Sequence, residues 1–407
     1  TTAATDPVGF TSLSLPVNSD SLISIPFTRP AVFSGAIGSV SGNNITVASS
    51  PGWMANQYVY AQGVQSNTYY AIIGPLLKTV SGTVTATNGS TAITATAGLS
   101  SIVAGDEIII NGLAYNVASV TSDTALVLSR AYTGTNGSGL AASYDHSPKE
   151  GSYYTVTGNG ANSLTVNLNG DVLTNVAAGT TVTLIPYWTL GTAFPVSDAG
   201  TSYIASTGLA PRSYQTQLLL PDLTSAGYNL ANSSGYINYN SAWRLQGSDG
   251  TASYNDTILP PTAYFTVRNA NTATTFTPTG GVYMNRITTV LDTQASTVQD
   301  NAVAVPRPVA ISLNDLGLVS SGAFSVSTGT APRSIKDTLL VYDNSVIGLN
   351  KANSAGYFYY NGGWRLVGSD GTVDYGTTTI PYGTGVIIRK AIVASGSSSF
   401  WQNTRTY

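Results

Sequence analysis

Apolar and polar residues alternate in short runs along most of the chain. Ile23, Ile25 and Phe27 are spaced two residues apart, and the spacing recurs at Ile45 and Val47. Because successive residues of a strand point to opposite faces of a sheet, this spacing describes strands with one buried face. The spacing typical of an amphipathic helix is scarce. The pattern therefore predicts an all-β chain.

Turn residues separate these runs. Asn and Gly tolerate the positive φ angles of two-residue hairpin turns, so an Asn-Gly pair between apolar runs predicts a tight hairpin. Such pairs occur at Asn88-Gly89, Asn111-Gly112, Asn136-Gly137, Asn169-Gly170 and Asn361-Gly362. Many short strands joined by turns of this kind are typical of antiparallel β-sandwiches and barrels.

One stretch of the sequence occurs twice. Residues 210–268 are matched without a gap by residues 331–389, and both copies carry a Trp-Arg pair followed by a Gly-Ser-Asp-Gly turn. Two copies this similar indicate an ancestral unit that was duplicated whole. The fold class expected is thus a set of antiparallel sandwich or barrel-like units with an internal tandem duplication.

Each repeat carries structural anchors. In the pairs Trp243-Arg244 and Trp364-Arg365, neighbouring residues face opposite sides of a strand, so one side chain enters the core while the other faces outward. A core position for Trp is favoured over an exposed sugar-stacking platform.

The repeats also close on matching arginines. Arg268 and Arg389 are expected to pair with Asp222 and Asp343, or with nearby carbonyl oxygens.

Composition shifts divide the chain further. Residues 82–144 are poor in bulky aromatics, whereas the segments on either side share a Tyr-rich style. An insertion into a loop of a host domain explains this, since loop tips tolerate insertions best. The expected organisation is a host β-domain (1–77 with 148–200), an inserted β-domain (78–147), repeat copy 1 (201–270), a connecting segment (271–320), and copy 2 with the C-terminal tail (321–407).

Few residues are charged. Charged side chains make up 9% of the chain against a typical value of about 25%. With 16 basic residues and a net charge of −3, no basic stripe is present to neutralise a phosphate backbone, so nucleic acid is not an expected partner. The chain has no Cys, and no segment is apolar enough to span a bilayer. It begins at Thr1 without an initiator Met, which we interpret as an exported protein after removal of its leader.

Catalytic and metal-binding chemistry is poorly supported. His146 is the only His, and Glu107 and Glu150 are the only glutamates, so a catalytic triad or a pair of glutamates astride a glycosidic bond is not indicated. The Asp residues of segments 247–250, 368–371 and 169–171 each stand alone in their motifs, and turns are favoured over calcium sites. Neither an enzyme nor a cofactor is expected.

The end regions of the sequence carry apolar residues at strand spacing. They are Val8, Phe10, Leu13 and Leu15 near the start, and Phe400 and Trp401 near the end. Either segment is suited to adding a strand to a sheet edge of a neighbouring subunit, which would polymerise the chain. The alternative is that both ends pair within their own subunit.

Two resemblances add to these residues. Asp6-Pro-Val-Gly-Phe10, Ile185-Pro-Tyr-Trp-Thr-Leu190, the Trp-Arg pairs and the closing Ile388-Arg-Lys390 resemble an uncharacterised family of exported β-proteins of verrucomicrobial-type bacteria. That resemblance implies export and an all-β fold. It suggests no particular activity, because the family has none assigned. The inserted segment, with its Val103-Ala-Gly-Asp-Glu-Ile-Ile-Ile-Asn-Gly112 run, is similar to small β-modules of bacterial surface and phage structural proteins.

Together these observations predict a secreted, structural, self-assembling subunit. The expected polymer is extracellular or at the cell surface, and most simply a filament in which a terminal donor strand joins one subunit to the next. Sparse charge favours such stacking, because subunits repel one another little. The alternative is a monomeric surface adhesin or carbohydrate-binding protein, and a phage or virus structural component is a third interpretation.

Overall fold

The computed structural model describes residues 7–59, 68–305 and 307–407. Within them the fold is almost entirely antiparallel β-sheet, which confirms the prediction from alternation. Helix is confined to α1 (Leu190–Ala193) and to single 3₁₀ turns at Val196–Asp198, Pro211–Ser213, Asn314–Leu316 and Pro332–Ser334.

The first three strands pair with residues far along the chain. They are β1 (Val8–Phe10), β2 (Leu13–Leu15) and β3 (Ser19–Ile23), and their partners all lie between residues 265 and 281.

A six-stranded closed barrel follows. Its strands are β4 (Phe33–Ser41), β5 (Asn44–Val47) and β6 (Tyr69–Ile73), and later β15 (Tyr153–Asn159), β16 (Ser163–Asn167) and β17 (Thr181–Pro186). The alternating residues of these strands fill the barrel, with Ile45, Ala71, Leu164 and Leu184 buried at its centre.

Between β6 and β15 the chain forms a separate eight-stranded sheet, here called the inserted sheet. Its strands are β7 (Lys78–Thr79), β8 (Val84–Ala86), β9 (Ala92–Ala95), β10 (Glu107–Ile110), β11 (Leu113–Ser122), β12 (Ala125–Leu128), β13 (Gly137–Leu140) and β14 (Ala142–Asp145). They pair in the order β13-β8-β9-β12-β11-β10-β14-β7 and, among the strands that the structure describes, only with one another. This sheet has its own apolar core.

The first sandwich, unit 1, is assembled from β2, β3 and the strands after the barrel. These are β18 (Trp188–Thr189), β19 (Thr216–Pro221), β20 (Asn232–Tyr239), β21 (Ala242–Leu245), β22 (Ile258–Leu259), β23 (Phe265–Asn269) and β24 (Thr274–Phe276), and they are followed by β25 (Thr279–Gly281). Its main sheet has the order β21-β20-β19-β23-β3, and the pairs β2-β24 and β18-β22 complete it.

Unit 2 contains the remaining strands. They are β26 (Ile287–Leu291), β27 (Gln299–Ala304), β28 (Ile311–Ser312), β29 (Thr338–Val341), β30 (Ala355–Tyr360), β31 (Gly363–Leu366), β32 (Thr379–Ile380), β33 (Gly385–Lys390) and β34 (Ser399–Asn403). Its main sheet has the order β31-β30-β29-β33-β27, completed by the pairs β26-β34 and β28-β32.

The two units therefore have the same strands in the same pairing. The hairpin β30-β31 turns at Asn361 and Gly362, whose φ angles of 48° and 74° match the predicted Asn-Gly turn. In unit 1 the equivalent hairpin turns at Asn240 and Ser241, also at positive φ. Common descent of the units stays a prediction.

Strand pairing changes the expected domain boundaries. Residues 8–23, expected in the host domain, belong to or border unit 1 through β1, β2 and β3. The expected connecting segment, 271–320, is divided: β24 pairs within unit 1, while β26, β27 and β28 pair within unit 2. These differences arise because the sequence repeat covers only the similar stretch, whereas each sandwich also recruits strands outside it. The barrel is an insertion into unit 1, and the inserted sheet is an insertion into the barrel.

Candidate functional site

The two repeated tryptophans lie at equivalent core positions. Trp243 and Trp364 are buried, and Trp243 donates its indole N–H to the Phe194 carbonyl at 3.1 Å. Aromatic rings surround each one, Tyr203 beside Trp243 at 5.1 Å and Phe324 beside Trp364 at 5.1 Å between ring centroids. The core position expected for Trp is thus what the structure shows, and these indoles are not available for stacking on a sugar.

The arginine beside each tryptophan donates hydrogen bonds to backbone carbonyls of the adjoining loop. Arg244 donates to the carbonyls of Tyr239 and Thr251 at 3.2 and 2.9 Å, and Arg365 donates to those of Tyr360 and Thr372 at 3.3 and 3.4 Å. These contacts close the loop that follows the hairpin.

The aspartates of the two Gly-Ser-Asp-Gly segments serve the same loops. Asp249 accepts hydrogen bonds from the Thr251 amide and hydroxyl, and Asp370 accepts them from Thr372. These backbone and side-chain hydrogen bonds lower the pKa of both carboxyls. The segments are turns, as the spacing of their single carboxylates predicts.

Arg268 and Arg389 make ion pairs with partners that were not expected. Arg268 binds both carboxylate oxygens of Asp20 at 2.6 and 2.8 Å, and Arg389 binds those of Asp300 at 2.7 and 2.9 Å. Each pair joins residues directly opposite each other on neighbouring strands, β23 with β3 and β33 with β27. Charge-assisted bidentate pairs of this kind are among the stronger polar contacts in proteins.

The predicted pairing with Asp222 and Asp343 is wrong. Asp222 accepts hydrogen bonds from the amides of Thr224 and Ser225, and Asp343 accepts one from the amide of Ser345. Both carboxylates therefore close local turns at the start of loops, where backbone donors close in sequence satisfy them.

Those two loops cross between the units. From unit 2, Asn350 accepts from Arg268 at 2.7 Å and its amide donates to Asp20 at 2.7 Å. From unit 1, Asn229 accepts from Arg389 at 2.7 Å and its amide donates to Asp300 at 2.8 Å. Each ion pair is thus completed by the other unit, which fixes the two sandwiches against each other in a reciprocal arrangement.

A buried polar junction joins the barrel, the inserted sheet and unit 2. Arg286 lies 4.0 Å from a carboxylate oxygen of Glu107 and 3.9 Å from one of Glu150, and it donates to Asn116 at 2.8 Å. Arg286 and both glutamates are almost completely buried. The two glutamates of the chain, separated in sequence, therefore meet at one arginine, which sequence spacing gave no means to foresee.

Burial dominates the electrostatics of this junction. Desolvation raises the pKa of Glu107 and, more strongly, that of Glu150, to which the charge of Glu107 adds. Nearby, burial also lowers the pKa of Arg307, which donates to the side chain and carbonyl of Asn403 at 2.7 and 2.6 Å. Burial thus favours the neutral form of both carboxyl groups, and Arg286 lies between them where the barrel, the inserted sheet and unit 2 meet.

The residues expected to contact another subunit divide into three groups. Leu15 and Trp401 are buried in the cores of units 1 and 2, and Leu13 packs against the first of these cores. In this structure β2 and β34 pair with β24 and β26 of the same chain. For these three side chains the alternative of pairing within the subunit is therefore what the structure shows.

Val8 and Phe10 form the second group, and they are exposed. Their exposed fractions are 79% and 73%. Both point away from the protein on β1, because Gly9 between them faces the Phe27 ring so closely that a Cβ would lie 2.7 Å from it. β1 pairs with β25 along one edge only, and within the described residues its other edge has no strand partner. Residues 1–6, which precede it in the expected donor segment, lie outside the described residues.

Phe400 is also partly exposed, on the outer face of the β26-β34 pair. Directly opposite it on the neighbouring strand lies Val290, likewise exposed. Both line a cleft of about 710 Å³ between the barrel and the two units. The rest of the lining mixes apolar residues such as Leu168, Leu223 and Val303 with polar ones: Tyr153, Asp171, Thr262, Asp292, Gln299 and Asn301. Lys149 lies 5.1 Å from the Phe400 ring centroid and forms an ion pair with Asp171.

Within residues 7–59, 68–305 and 307–407, no three His, Asp or Glu side chains are grouped closely enough to hold a metal ion. His146 makes a 2.6 Å contact with Asp106 at the edge of the inserted sheet. No helix in the described part of the chain is both long and apolar enough to cross a membrane. Comparisons with protein-family models, curated proteins and solved structures gave no match.

Proposed function

We propose that this chain is a structural subunit of an extracellular or cell-surface polymer, most simply a filament, whose subunits join by β-strand addition at a terminal segment. The observation that supports the proposal is the edge of β1 that has no strand partner among the described residues, on a strand that carries the exposed side chains of Val8 and Phe10. No catalytic role is part of the proposal.

An open edge strand is a template for another chain. Its free N–H and C=O groups are aligned to pair with an incoming strand, and natural proteins usually protect such edges with charge, proline or a covering loop. Here the strand instead presents two apolar side chains on one face. Burying both against a neighbour contributes roughly 1.5–3 kcal/mol for each side chain in addition to the backbone hydrogen bonds.

The overall charge supports close packing of subunits. Lys, Arg, Asp and Glu make up only 9% of the chain and nearly cancel, leaving a net charge of −3. Subunits with so little mutual repulsion can stack closely, and a net charge near zero favours association.

The test compares native protein with the double variant Val8→Ser/Phe10→Ser. We expect the native protein to form regular polymers and the variant to lose them, with an unchanged thermal midpoint because neither side chain contributes to a core. The matched control is Met54→Ser/Val172→Ser, which removes two other side chains that are 72% and 56% exposed. Light scattering and electron microscopy report assembly. A double variant that polymerises as the native protein does would refute the role of β1.

The second candidate is a monomeric surface adhesin or carbohydrate-binding protein. It is favoured by the 710 Å³ cleft, where the exposed ring of Phe400 lies beside hydroxyl, amide and carboxylate groups suited to sugar hydroxyls. A native protein that stays monomeric and loses binding to a glycan array on Phe400→Ala would support this candidate over the polymer.

A further inference from the structure

The edge strands of the two main sheets are covered by loops from the opposite unit. The edge strand is β3 in unit 1 and β27 in unit 2. The Asp20 amide donates to the Gly348 carbonyl at 2.9 Å, and the equivalent Asp300 amide donates to the Gly227 carbonyl at 2.8 Å. One end of each edge strand is therefore covered in the same way.

The other ends of the two edge strands are also covered alike. The amide of Ser24, just past β3, donates to the Gly383 carbonyl at 3.0 Å, and the Ala304 amide of β27 donates to the Thr262 carbonyl at 3.0 Å. Alternate residues of a strand direct their N–H and C=O groups to the same edge. One residue between the covered ends of each strand therefore directs both groups outward. These residues are Leu22 in β3 and Ala302 in β27.

The two middle residues differ in what covers them. The carboxamide of Asn344 accepts from the Leu22 amide at 2.9 Å and donates to the Leu22 carbonyl at 2.8 Å. At the position equivalent to Asn344, the loop of unit 1 carries Leu223, whose side chain can neither accept nor donate. Among the described residues, none is hydrogen-bonded to the N–H or C=O of Ala302. The sheet edge of unit 2 is thus open for the length of one residue.

This open edge lies in the 710 Å³ cleft, which Ala302, Leu223 and Phe400 all line. The N–H and C=O of Ala302 lie side by side in a cleft that also contains the partly exposed ring of Phe400. A few convergent polar groups in a partly apolar cleft are typical of small-ligand sites. The carboxamide of Asn344 on Leu22 shows that a group with an adjacent donor and acceptor fits an edge of this kind.

The surroundings limit the ligand to a compact, neutral one. Because the Asp300 and Ala304 amides are already bonded, an added β-strand would pair with a single residue of β27, whereas strand addition depends on a row of main-chain hydrogen bonds. Asp171 and Asp292 also line the cleft, and none of its described lining residues is Lys or Arg, which disfavours an anionic ligand. A neutral ring with adjacent hydroxyl groups meets both limits, since each hydroxyl can donate and accept.

We propose that the cleft binds a neutral sugar ring through the backbone N–H and C=O of Ala302. One hydroxyl accepts from the N–H and a neighbouring hydroxyl donates to the C=O, as the carboxamide of Asn344 does at Leu22, while the ring rests on Phe400. This inference rests on the second candidate function, carbohydrate binding in the cleft. It does not depend on whether the subunits polymerise.

The variant Leu223→Asn tests the proposal, because it gives the unit 1 loop the residue that closes the edge of β3. Its carboxamide should take both backbone groups of Ala302 and exclude the sugar. Leu223→Ala is the matched variant, since it removes the same apolar side chain without offering a carboxamide. Isothermal titration calorimetry with neutral oligosaccharides of glucose, galactose and mannose measures both affinities. We expect that of Leu223→Asn to be at least about tenfold lower, because two hydrogen bonds are lost.

Hydrogen exchange of the Ala302 amide gives a second readout. In the native protein this amide should exchange faster than that of Leu22, which is bonded to Asn344. Saturation with the sugar should slow its exchange, and so should Leu223→Asn without sugar. An unchanged exchange rate of the Ala302 amide in the saturated complex would overturn its role as the anchor.

The remaining outcomes separate this inference from the second candidate function. Equal affinities of Leu223→Asn and Leu223→Ala would overturn the role of Ala302, while a loss of binding on Phe400→Ala would leave the second candidate standing. A cleft that binds extended peptides from a peptide library in place of the oligosaccharides would overturn the sugar as ligand. A native protein that binds none of the oligosaccharides would overturn both the inference and the second candidate, and would leave the polymer proposal untouched.

Discussion

Units 1 and 2 share the same strands and pairing but differ in their connections. In unit 2, β27 reaches β28 through residues 305–310, whereas in unit 1 the equivalent gap between β3 and β18 contains the whole barrel and the inserted sheet. The main sheets of the two units have the same strand order despite this insertion. The sandwich is therefore specified by its strands and anchors, and its loops accept a domain-sized insertion.

The barrel, although joined covalently to unit 1, is also held to unit 2. Arg286, which directly precedes β26, contacts Glu150 just ahead of the first returning barrel strand and Glu107 of the inserted sheet. Unit 2 therefore lacks the insertion in its sequence yet supplies Arg286, the arginine of the buried junction with the barrel and the inserted sheet. The two units have the same core arrangement, and both hold the barrel and the inserted sheet: unit 1 through the chain connection and unit 2 through Arg286.

The largest expected effect tests whether the two cores are equivalent. Trp243→Ala and Trp364→Ala each remove a buried indole, and each should lower the free energy of unfolding by about 3–5 kcal/mol. Denaturant unfolding followed by circular dichroism measures both losses. A difference of more than about 2 kcal/mol between the two variants would show that the equivalence of position does not extend to packing.

A smaller effect is expected from the reciprocal ion pairs. Arg268→Met and Arg389→Met each leave a nearly buried aspartate without its charged partner, while the arginines themselves are partly exposed. Each change should cost about 1–3 kcal/mol, by the same unfolding measurement. Arg212→Met and Arg333→Met are matched controls, since both side chains are exposed at equivalent 3₁₀ turns and should change stability little. Unequal losses at Arg268 and Arg389 would contradict the reciprocal arrangement.

The smallest expected effect is the pH dependence of stability at the buried junction of Arg286, Glu107 and Glu150. Because the pKa values of Glu107 and Glu150 are raised in the folded chain, their stability contribution is fully present below the unfolded value of about 4.3 and is lost as pH rises through the folded values. The thermal midpoint of the native protein should therefore fall as pH rises through that window. Glu150→Gln, which keeps an acceptor for the Arg286 amide, should flatten this dependence. An unchanged slope of the thermal midpoint against pH in Glu150→Gln would contradict the assignment of this pH dependence to Glu150.

Much of the fold was predictable because it is locally encoded. Alternation at Ile45 and Val47 places both side chains inside the barrel, and the Asn361-Gly362 pair makes the turn its positive φ angles allow. The burial of Trp243 and Trp364 follows from the same alternation. These features depend on residues close in sequence, where side-chain direction and backbone preference decide the outcome.

What was missed depends on pairing between distant residues. Asp20 meets Arg268 only because β3 pairs with β23, and Glu107 meets Glu150 only because the inserted sheet folds back on the barrel. Register across such distances leaves no trace in local spacing. The exposure of Val8 and Phe10 likewise follows from Gly9 packing on Phe27, a contact that alternation alone does not reveal.

The central claim is tested most directly by negative-stain electron microscopy of the native, undenatured protein recovered from the outside of the producing cell. A structural subunit joined by strand addition at β1 predicts regular filaments. Dispersed single particles at the same protein concentration would contradict the claim and favour the adhesin candidate.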